Sequence, residues 1–352
     1  MTASFIYGIS PARIVFGPGS WARVGEEVAR LGLRRALVLS TPYQQADAEA
    51  LAARLGERAA GVFARAAMHT PTEVTQQALA AYEAAGADGV VALGGGSAIG
   101  LGKAIAWRND APQVVIPITY AGSEVTPILG QTEDGVKTTV RDPKILPEVV
   151  IYDPELTLGL PVAMSVTSGL NAMAHAVEAV YAQDRNPVSS LLAVEGVRAL
   201  RDALPAITAA PRNAQVRGQA LYGSWLCGTV LGTVGMALHH KLCHTLGGSF
   251  DLPHAETHAV VLPHAAAYNA QAAAAQLRPL AGLFGGDLGG GLYDFARSLG
   301  APQSLRELGL NGAQLDRAAN LAVRNPYWNP RPVERGAVRA LLQRAWEGAR
   351  PQ

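Results

Sequence analysis

Short unbroken runs of apolar residues mark the first half of this chain: residues 35–40 (RALVLS), 88–93 (DGVVAL), 114–118 (VVIPI) and 149–154 (VVIYDP). Runs of this length, closed by turn residues, have the form of strands buried in a parallel sheet. Between them the apolar positions recur at helical spacing, at Trp21, Val24, Val28 and Leu31, across residues 46–55, and at Val74, Leu79 and Tyr82. Gly61-Val62-Phe63 adds a strand, residues 5–16 predict an opening hairpin or edge strand around Ser10-Pro11, and Lys137-Thr138-Thr139 is a late β signal. Strand and helix alternate, which predicts an α/β domain with a parallel sheet over residues 1–155. Beyond it almost nothing reads as β. Ala-rich and Leu-rich helical faces predict an all-helical domain over residues 156–352.

Composition narrows the class. The 352 residues are 49% hydrophobic and 16% charged, as in a compact globular enzyme, and the net charge of +1 offers no field to recruit nucleic acid or an anionic membrane. An anionic ligand must then be met by local groups. Cys227 and Cys243 are the two cysteines and read as small apolar core residues of a reduced compartment. No charged segment followed by an apolar one opens the chain, and no run of 18 apolar residues occurs, so the reading is a soluble, cytoplasmic protein.

Candidate chemistry enters at the ends of the predicted strands. The strand at 88–93 runs into Gly94-Gly95-Gly96-Ser97 and then a helix, an arrangement that sets a pyrophosphate on backbone N–H groups, with the Ser97 hydroxyl beside it. In open α/β sheets ligands bind beyond the carboxyl ends of strands. Ser40-Thr41, Gly94 to Ser97 and Thr119-Tyr120-Ala121-Gly122-Ser123-Glu124 are therefore predicted to share one rim and form a dinucleotide-binding site. Lys103, two turns into the next helix, reads as a solvated surface charge.

The densest signal lies in residues 239–264, which hold six of the eight histidines. His240 and His244 are four apart and share a helix face. Gly247-Gly248 is predicted to end that helix, and Asp251-Leu252-Pro253 to turn the chain before His254, aiming three imidazoles at one point. Imidazole serves there either as a metal ligand or as a proton-transfer and oxyanion-stabilising group. His239, His258 and His264 read individually as buried histidines satisfied by backbone carbonyls. Upstream, Asn171 and His175 share a face of another predicted helix.

A glycine turn in an α/β domain, then Asn171-x-x-x-His175, His240-x-x-x-His244 and Pro253-His254 in a helical domain, resembles the iron-containing alcohol dehydrogenase superfamily over essentially the whole chain. The resemblance implies that the turn binds the NAD(P) pyrophosphate. It also implies that Asn171, His175, His240 and His254 match the aspartate and three histidines that hold a divalent metal. Asn171 departs from that pattern by removing the only anionic ligand, which leaves a poorer site for Fe²⁺ or Zn²⁺. Gly100 stands where the family usually carries an aspartate, and the 119–124 loop is shorter than usual.

The stretches TYAGSEVTPI (119–128), residues 146–179 and HHKLCHTLGGSFDLPHAETHAVVLPHA (239–265) are similar to one subgroup. Its members reduce the carbon–carbon double bond of maleylacetate to 3-oxoadipate with NADH or NADPH, in the breakdown of resorcinol-type and chlorinated aromatics. The resemblance implies a homodimer and a centre that requires no metal. It places Lys137 near the ribose or nicotinamide. With no acidic residue at Ser40-Thr41-Pro42, NADPH is expected to be tolerated beside NADH.

The expected catalytic groups are His240, His244 and His254, with Tyr120 or a further histidine as proton donor. Among them His244 is expected nearest the nicotinamide, with His240 and His254 on the substrate side. His175, Lys241, Asn171 and Ser123 are expected to face the small dicarboxylate. Ser40, Gly94, Gly95, Gly96, Ser97, Thr119, Tyr120 and Lys137 are expected to bind cofactor. The alternatives are a metal-dependent alcohol or polyol dehydrogenase, a hydrolase with a metal-bound water, and a non-catalytic metabolite sensor.

Overall fold

The computed structural model describes Phe5, Tyr7, Gly8 and residues 12–325 and 327–351. Its strands are β1 (Arg13–Phe16), β2 (Ala36–Leu39), β3 (Ala59–Phe63), β4 (Gly89–Gly94), β5 (Gln113–Pro117), β6 (Ile128–Glu133), β7 (Val136–Arg141) and β8 (Val149–Tyr152). The helices of the first part are α1 (Val24–Arg30), α2 (Gln45–Leu55), α3 (Thr72–Ala84) and α4 (Gly96–Asn109). Then follow α5 (Val162–Ala179), α6 (Pro187–Ala209), α7 (Ala214–Thr233), α8 (Leu238–Phe250), α9 (His254–Asn269), α10 (Ala274–Leu283), α11 (Leu288–Ser298), α12 (Leu315–Ala322) and α13 (Arg335–Glu347).

Six strands form one sheet in the order β1-β8-β5-β4-β2-β3, and every pairing is parallel. Strands β2, β4, β5 and β8 are buried along their whole length, which explains why they read as continuous apolar runs rather than alternating ones. β6 and β7 form a separate antiparallel pair turned by Asp134-Gly135, both at positive φ. The opening segment is an edge strand beside β8 and not a hairpin among the described residues; Ser10-Pro11 lies outside them.

The chain divides into two compact units. Among the described residues, one holds residues 12–160, and the other holds residues 161–211 and 222–351 with Phe5, Tyr7 and Gly8. The break falls at Leu160–Pro161, near the expected 155, but residues 212–221, which open α7, return to the α/β unit. In that unit Val24, Val28, Ala48 and Leu51 pack with Val38, Val91, Val114 and Ile151 of the sheet. In the helical unit the apolar faces of α8, α9, α12 and α13 meet through Leu242, Leu246, Val261, Ala318 and Leu342.

Candidate active site

The parallel order puts the carboxyl ends of β2, β4 and β5 side by side, so the predicted rim forms within the α/β unit. Gly94 at φ +149° opens the turn, and Gly95 is the N-cap of α4, which presents that helix's unpaired N–H groups. A Cβ on Gly95 would lie 2.9 Å from Thr119 Cγ2, so the glycine turn and the 119–124 loop touch and only glycine fits between them. Ile118 N donates to Gly94 O at 3.1 Å, binding the two loops together. Ser40 is buried, with its hydroxyl on Thr41 O. Lys137 lies on β7, opposite Thr132. A Cβ at Gly100 would meet the Thr70 hydroxyl at 2.4 Å, which accounts for glycine at that position.

Two readings of this unit need correction. Lys103 is 2% exposed, and its ammonium donates to Ser123 O, Thr126 O, Thr126 Oγ1 and Ile128 O. It is an internal pin for the segment after the 119–124 loop. Tyr120 is fully buried, and its hydroxyl is taken up by Thr157 at 3.3 Å and Arg217 at 3.0 Å. Arg217, also fully buried, comes from the returning residues of α7 and bonds Leu160 O. The phenol is thus a structural tie, and the proton-donor role expected of it is withdrawn.

In the helical unit six imidazoles form one contiguous array. Ring centroids are 4.4 Å apart for His254 and His258, 4.9 Å for His239 and His258, 5.2 Å for His240 and His258, 5.0 Å for His175 and His240, and 6.2 Å for His240 and His244. His244 is exposed, His254 half-buried, and the other four buried. α8 runs through Gly247-Gly248 instead of ending there. Asp251, in the left-handed conformation at φ +55°, closes it, and Pro253 is the N-cap that starts α9 at His254. His240 and His254 approach the array from these two helices, and α5 brings His175 to it.

His239 and His258 depart from the expected bond to backbone carbonyls. His239 Nε2 and His258 Nδ1 face each other at 3.0 Å, and Cys243 Sγ lies 3.6 Å from His239 Nε2. Burial pulls His239 down to about 3, with His240 adding repulsion, and burial beside His254, His239 and His240 sets His258 well below the usual range. Both rings are therefore neutral at neutral pH.

Glu178 carries a role that the sequence pattern does not single out. It follows His175 by three residues on α5 and is fully buried, and it accepts from the backbone N–H groups of Ala237 (2.9 Å), His239 (2.7 Å) and His240 (3.3 Å). His240 Nδ1 lies 2.6 Å from the same carboxylate. Burial pushes the Glu178 carboxyl up, but the hydrogen bond and charge of His240 and the other donors outweigh it and hold it at about 2. The His-x-x-Glu spacing, one helix turn, was the available signal. His240 Nε2 meets His175 Nδ1 at 2.8 Å, so both His240 nitrogens are engaged and the direct donor role expected of His240 is not available in this arrangement. Lys241 is half-buried, its ammonium 5.6 Å from the Tyr327 ring centre. Asn171 Oδ1 is buried without a partner.

Comparison with known proteins fits this geometry. The description "Iron-containing alcohol dehydrogenase" matches residues 11–154, and "Fe-containing alcohol dehydrogenase family, C-terminal" matches residues 165–346. The chain belongs to the iron-containing alcohol dehydrogenase family. Within it, the chain is 70% identical to a maleylacetate reductase of a Rhizobium species, covering 99% of each chain. It is 69% identical to the crystal structure of maleylacetate reductase from Agrobacterium tumefaciens, with a TM-score of 0.97 over 99% of this chain and 100% of that one. A 1,3-propanediol oxidoreductase structure is similar at 27% identity, with a TM-score of 0.90 over 98% of this chain and 100% of that one.

The family match corrects the expectation that no metal is required. The family is described by its iron, and His239, Cys243 and His258 offer ligand atoms that all lie within 4.8 Å of one another. The donors fit a divalent cation. Both imidazoles are held neutral, and His239 Nε2 lies 3.0 Å from His258 Nδ1 and 3.6 Å from Cys243 Sγ. Nitrogen and sulfur donors suit iron or zinc rather than magnesium or calcium. Held there, the ion would supply fixed positive charge beside the imidazole array. The residue of α8 beside Cys243 in this set is His239, the neighbour of His240. Cys243→Ser is expected to weaken metal binding by about tenfold or more, read as metal content by plasma mass spectrometry. Cys227→Ser, at the other buried cysteine, is the control. Equal metal in the two variants would remove this ligand set from consideration.

Proposed function

We propose that the protein is an NAD(P)H-dependent maleylacetate reductase that acts on a small unsaturated keto-dicarboxylate. The reading is carried by full-length similarity to maleylacetate reductases joined to a glycine turn at a helix N-terminus and an array of imidazoles. Hydride from the dihydronicotinamide adds to the alkene carbon β to the ketone. The electron pair of the double bond moves onto the ketone oxygen as an enolate, and a proton then joins the adjacent carbon. One NAD(P)H and one proton are consumed, and the products are the saturated keto-acid and NAD(P)⁺.

Gly94, Gly95, Gly96, Ser97, Thr119 and Ser40 bind the dinucleotide in this reading, with Lys137 toward the ribose or nicotinamide. His254, half-buried at the start of α9, presents an imidazole N–H to the enolate oxygen, and exposed His244 attends the nicotinamide. Lys241, Asn171, His175 and Ser123 meet the carboxylates. The active unit is a homodimer in this reading. Among the described residues no single helix is long and apolar enough to cross a membrane.

The test is loss of reduced-nicotinamide absorbance with maleylacetate, followed by identification of 3-oxoadipate. Turnover faster on maleylacetate than on simple alcohols and aldehydes is the expected result. Alcohol oxidation as the dominant activity would overturn the reading in favour of a polyol dehydrogenase.

A further inference from the structure

We propose that the cleft between α9, α13 and residues 329–332 is a second ligand site, which takes a small organic carboxylate on Arg331 and Arg344. It shares no residue with the imidazole array, and it does not depend on which reaction the array serves.

The loop before α13 holds one arginine in place. Pro330 and Pro332 flank Arg331; proline fixes its own φ and confines the residue before it to extended backbone, so position 331 has little freedom. Side chains then tie the loop to the last turn of α9. Asn329 and the fully buried Asn269 exchange amide hydrogen bonds at 2.7 and 3.0 Å, and Tyr268 Oη donates to Pro332 O at 2.7 Å. The Arg331 guanidinium lies 4.2 Å from the centre of the Tyr268 ring and donates to Tyr268 O at 3.4 Å. Arg344, half-buried on α13, donates to Arg350 O at 2.7 Å. Groups fixed in this way have less freedom to lose when a ligand binds.

Charge pairing singles out the same two arginines. Arg335 and Arg339 of α13 pair with Asp316 at 2.7 and 3.6 Å, and Arg350 pairs with Asp294 and Asp287 at 3.0 and 3.3 Å. Among the described residues no carboxylate pairs with Arg331 or Arg344, whose hydrogen bonds go to carbonyls. Both line a cleft of about 220 Å³ together with His264, which is 3% exposed and whose Nε2 is buried without a partner. Burial, with Arg344 adding to it, holds that imidazole down at about 4, so the two guanidiniums carry the charge of the cleft at neutral pH. Two like charges without a counter-ion are what an anion would complete, and a guanidinium matches a carboxylate through paired N–H donors. Ala267, Ala337, Ala340, Leu341 and Pro351 line the same cleft. That apolar wall suits a carboxylate on a short aliphatic stem rather than phosphate, which has no apolar surface. The volume is below the roughly 300–1,000 Å³ that drug-sized ligands occupy, so the ligand is small.

Ring-nitrogen chemical shifts of the histidines, recorded on the intact protein as succinate is added, test the site. The His264 signals, identified by their loss in His264→Leu, are expected to move and to saturate. Arg331→Gln and Arg344→Gln should each weaken that response by at least about tenfold, the size of one charge-assisted hydrogen bond. Arg331 is exposed, so Arg331→Gln still decides should Arg344→Gln fail to fold. Arg335→Gln removes a charge that is already paired and should leave the response unchanged. His264 signals that stay still while succinate moves those of the array would overturn the proposal, as would equal binding by Arg331→Gln and the wild type. Inorganic phosphate is the second probe. If it saturates the His264 signals as tightly as succinate does, any oxyanion satisfies the arginines and the assignment to an organic carboxylate is wrong. Binding is the readout, so the result stands whether or not maleylacetate is reduced.

Discussion

Lys103→Met is expected to lower the free energy of unfolding by roughly 3–5 kcal/mol, the cost of breaking a buried ionic cluster from one side. The stem of the methionine would fill most of the lysine's volume, so packing loss is small. What is lost is the donor. Ser123 O, Thr126 O and Ile128 O converge on the ammonium and would each be left without it. Glu124, itself fully buried and raised by burial, would lose the positive charge that partly offsets that burial. Tyr152 Oη donates to Glu124 Oε1 at 2.7 Å, while Oε2 is buried without a partner. Burial draws Lys103 down to about 7, with Glu124 opposing, so the cluster is held by geometry as much as by charge. Urea unfolding of the two proteins at one pH measures the difference. A loss under about 1 kcal/mol would mean water replaces the ammonium, and the pin assigned to Lys103 would be wrong.

Lys103 also shows where sequence reading stops. A lysine inside a helix reads as solvated because solvation is cheap, and nothing local announces three carbonyls arriving from residues 123–128. The strands posed no such problem. ALVL, GVVALG and VVIY are buried on both faces, and that environment is written in the run itself. Tyr120 failed for the same reason as Lys103: its partner Arg217 lies 97 residues away and arrives only because the start of α7 folds back onto the α/β unit. Glu178 was hidden among ordinary helix acids, since its acceptor role depends on the start of α8 some sixty residues later. The histidines were legible as a group, because i,i+4 spacing on two predicted helices limits where their rings go. Which of them pair was not. His239 and His240 are adjacent, yet one turns to His258 and the other to Glu178 and His175.

The same buried imidazoles make stability depend steeply on acid. Native His239 and His264 titrate near 3 and 4, and His258 well below its usual value; burial is the main cause in each, with Arg344 adding to it at His264. In the unfolded chain each titrates near 6.5. Between those values the unfolded state binds more protons, so the stability of the native state is complete above about pH 6.5 and falls as pH drops. Each such histidine contributes a slope that approaches about 1.4 kcal/mol per pH unit once pH is below 6.5, and the slopes add.

Glu178, depressed to about 2 by donors that outweigh its burial, extends the same trend below about pH 4.5. A cation on His239 and His258 would act in the same direction, since it binds only neutral rings. His264 lies outside the candidate ligand set, so His264→Leu isolates one proton's share. Unfolding free energies measured at pH 7, 6 and 5 should fall along a slope shallower by about 1.4 kcal/mol per unit in the variant. Parallel slopes for the variant and the wild type would mean that His264 is protonated in the native state, through water entering beside its unpartnered Nε2.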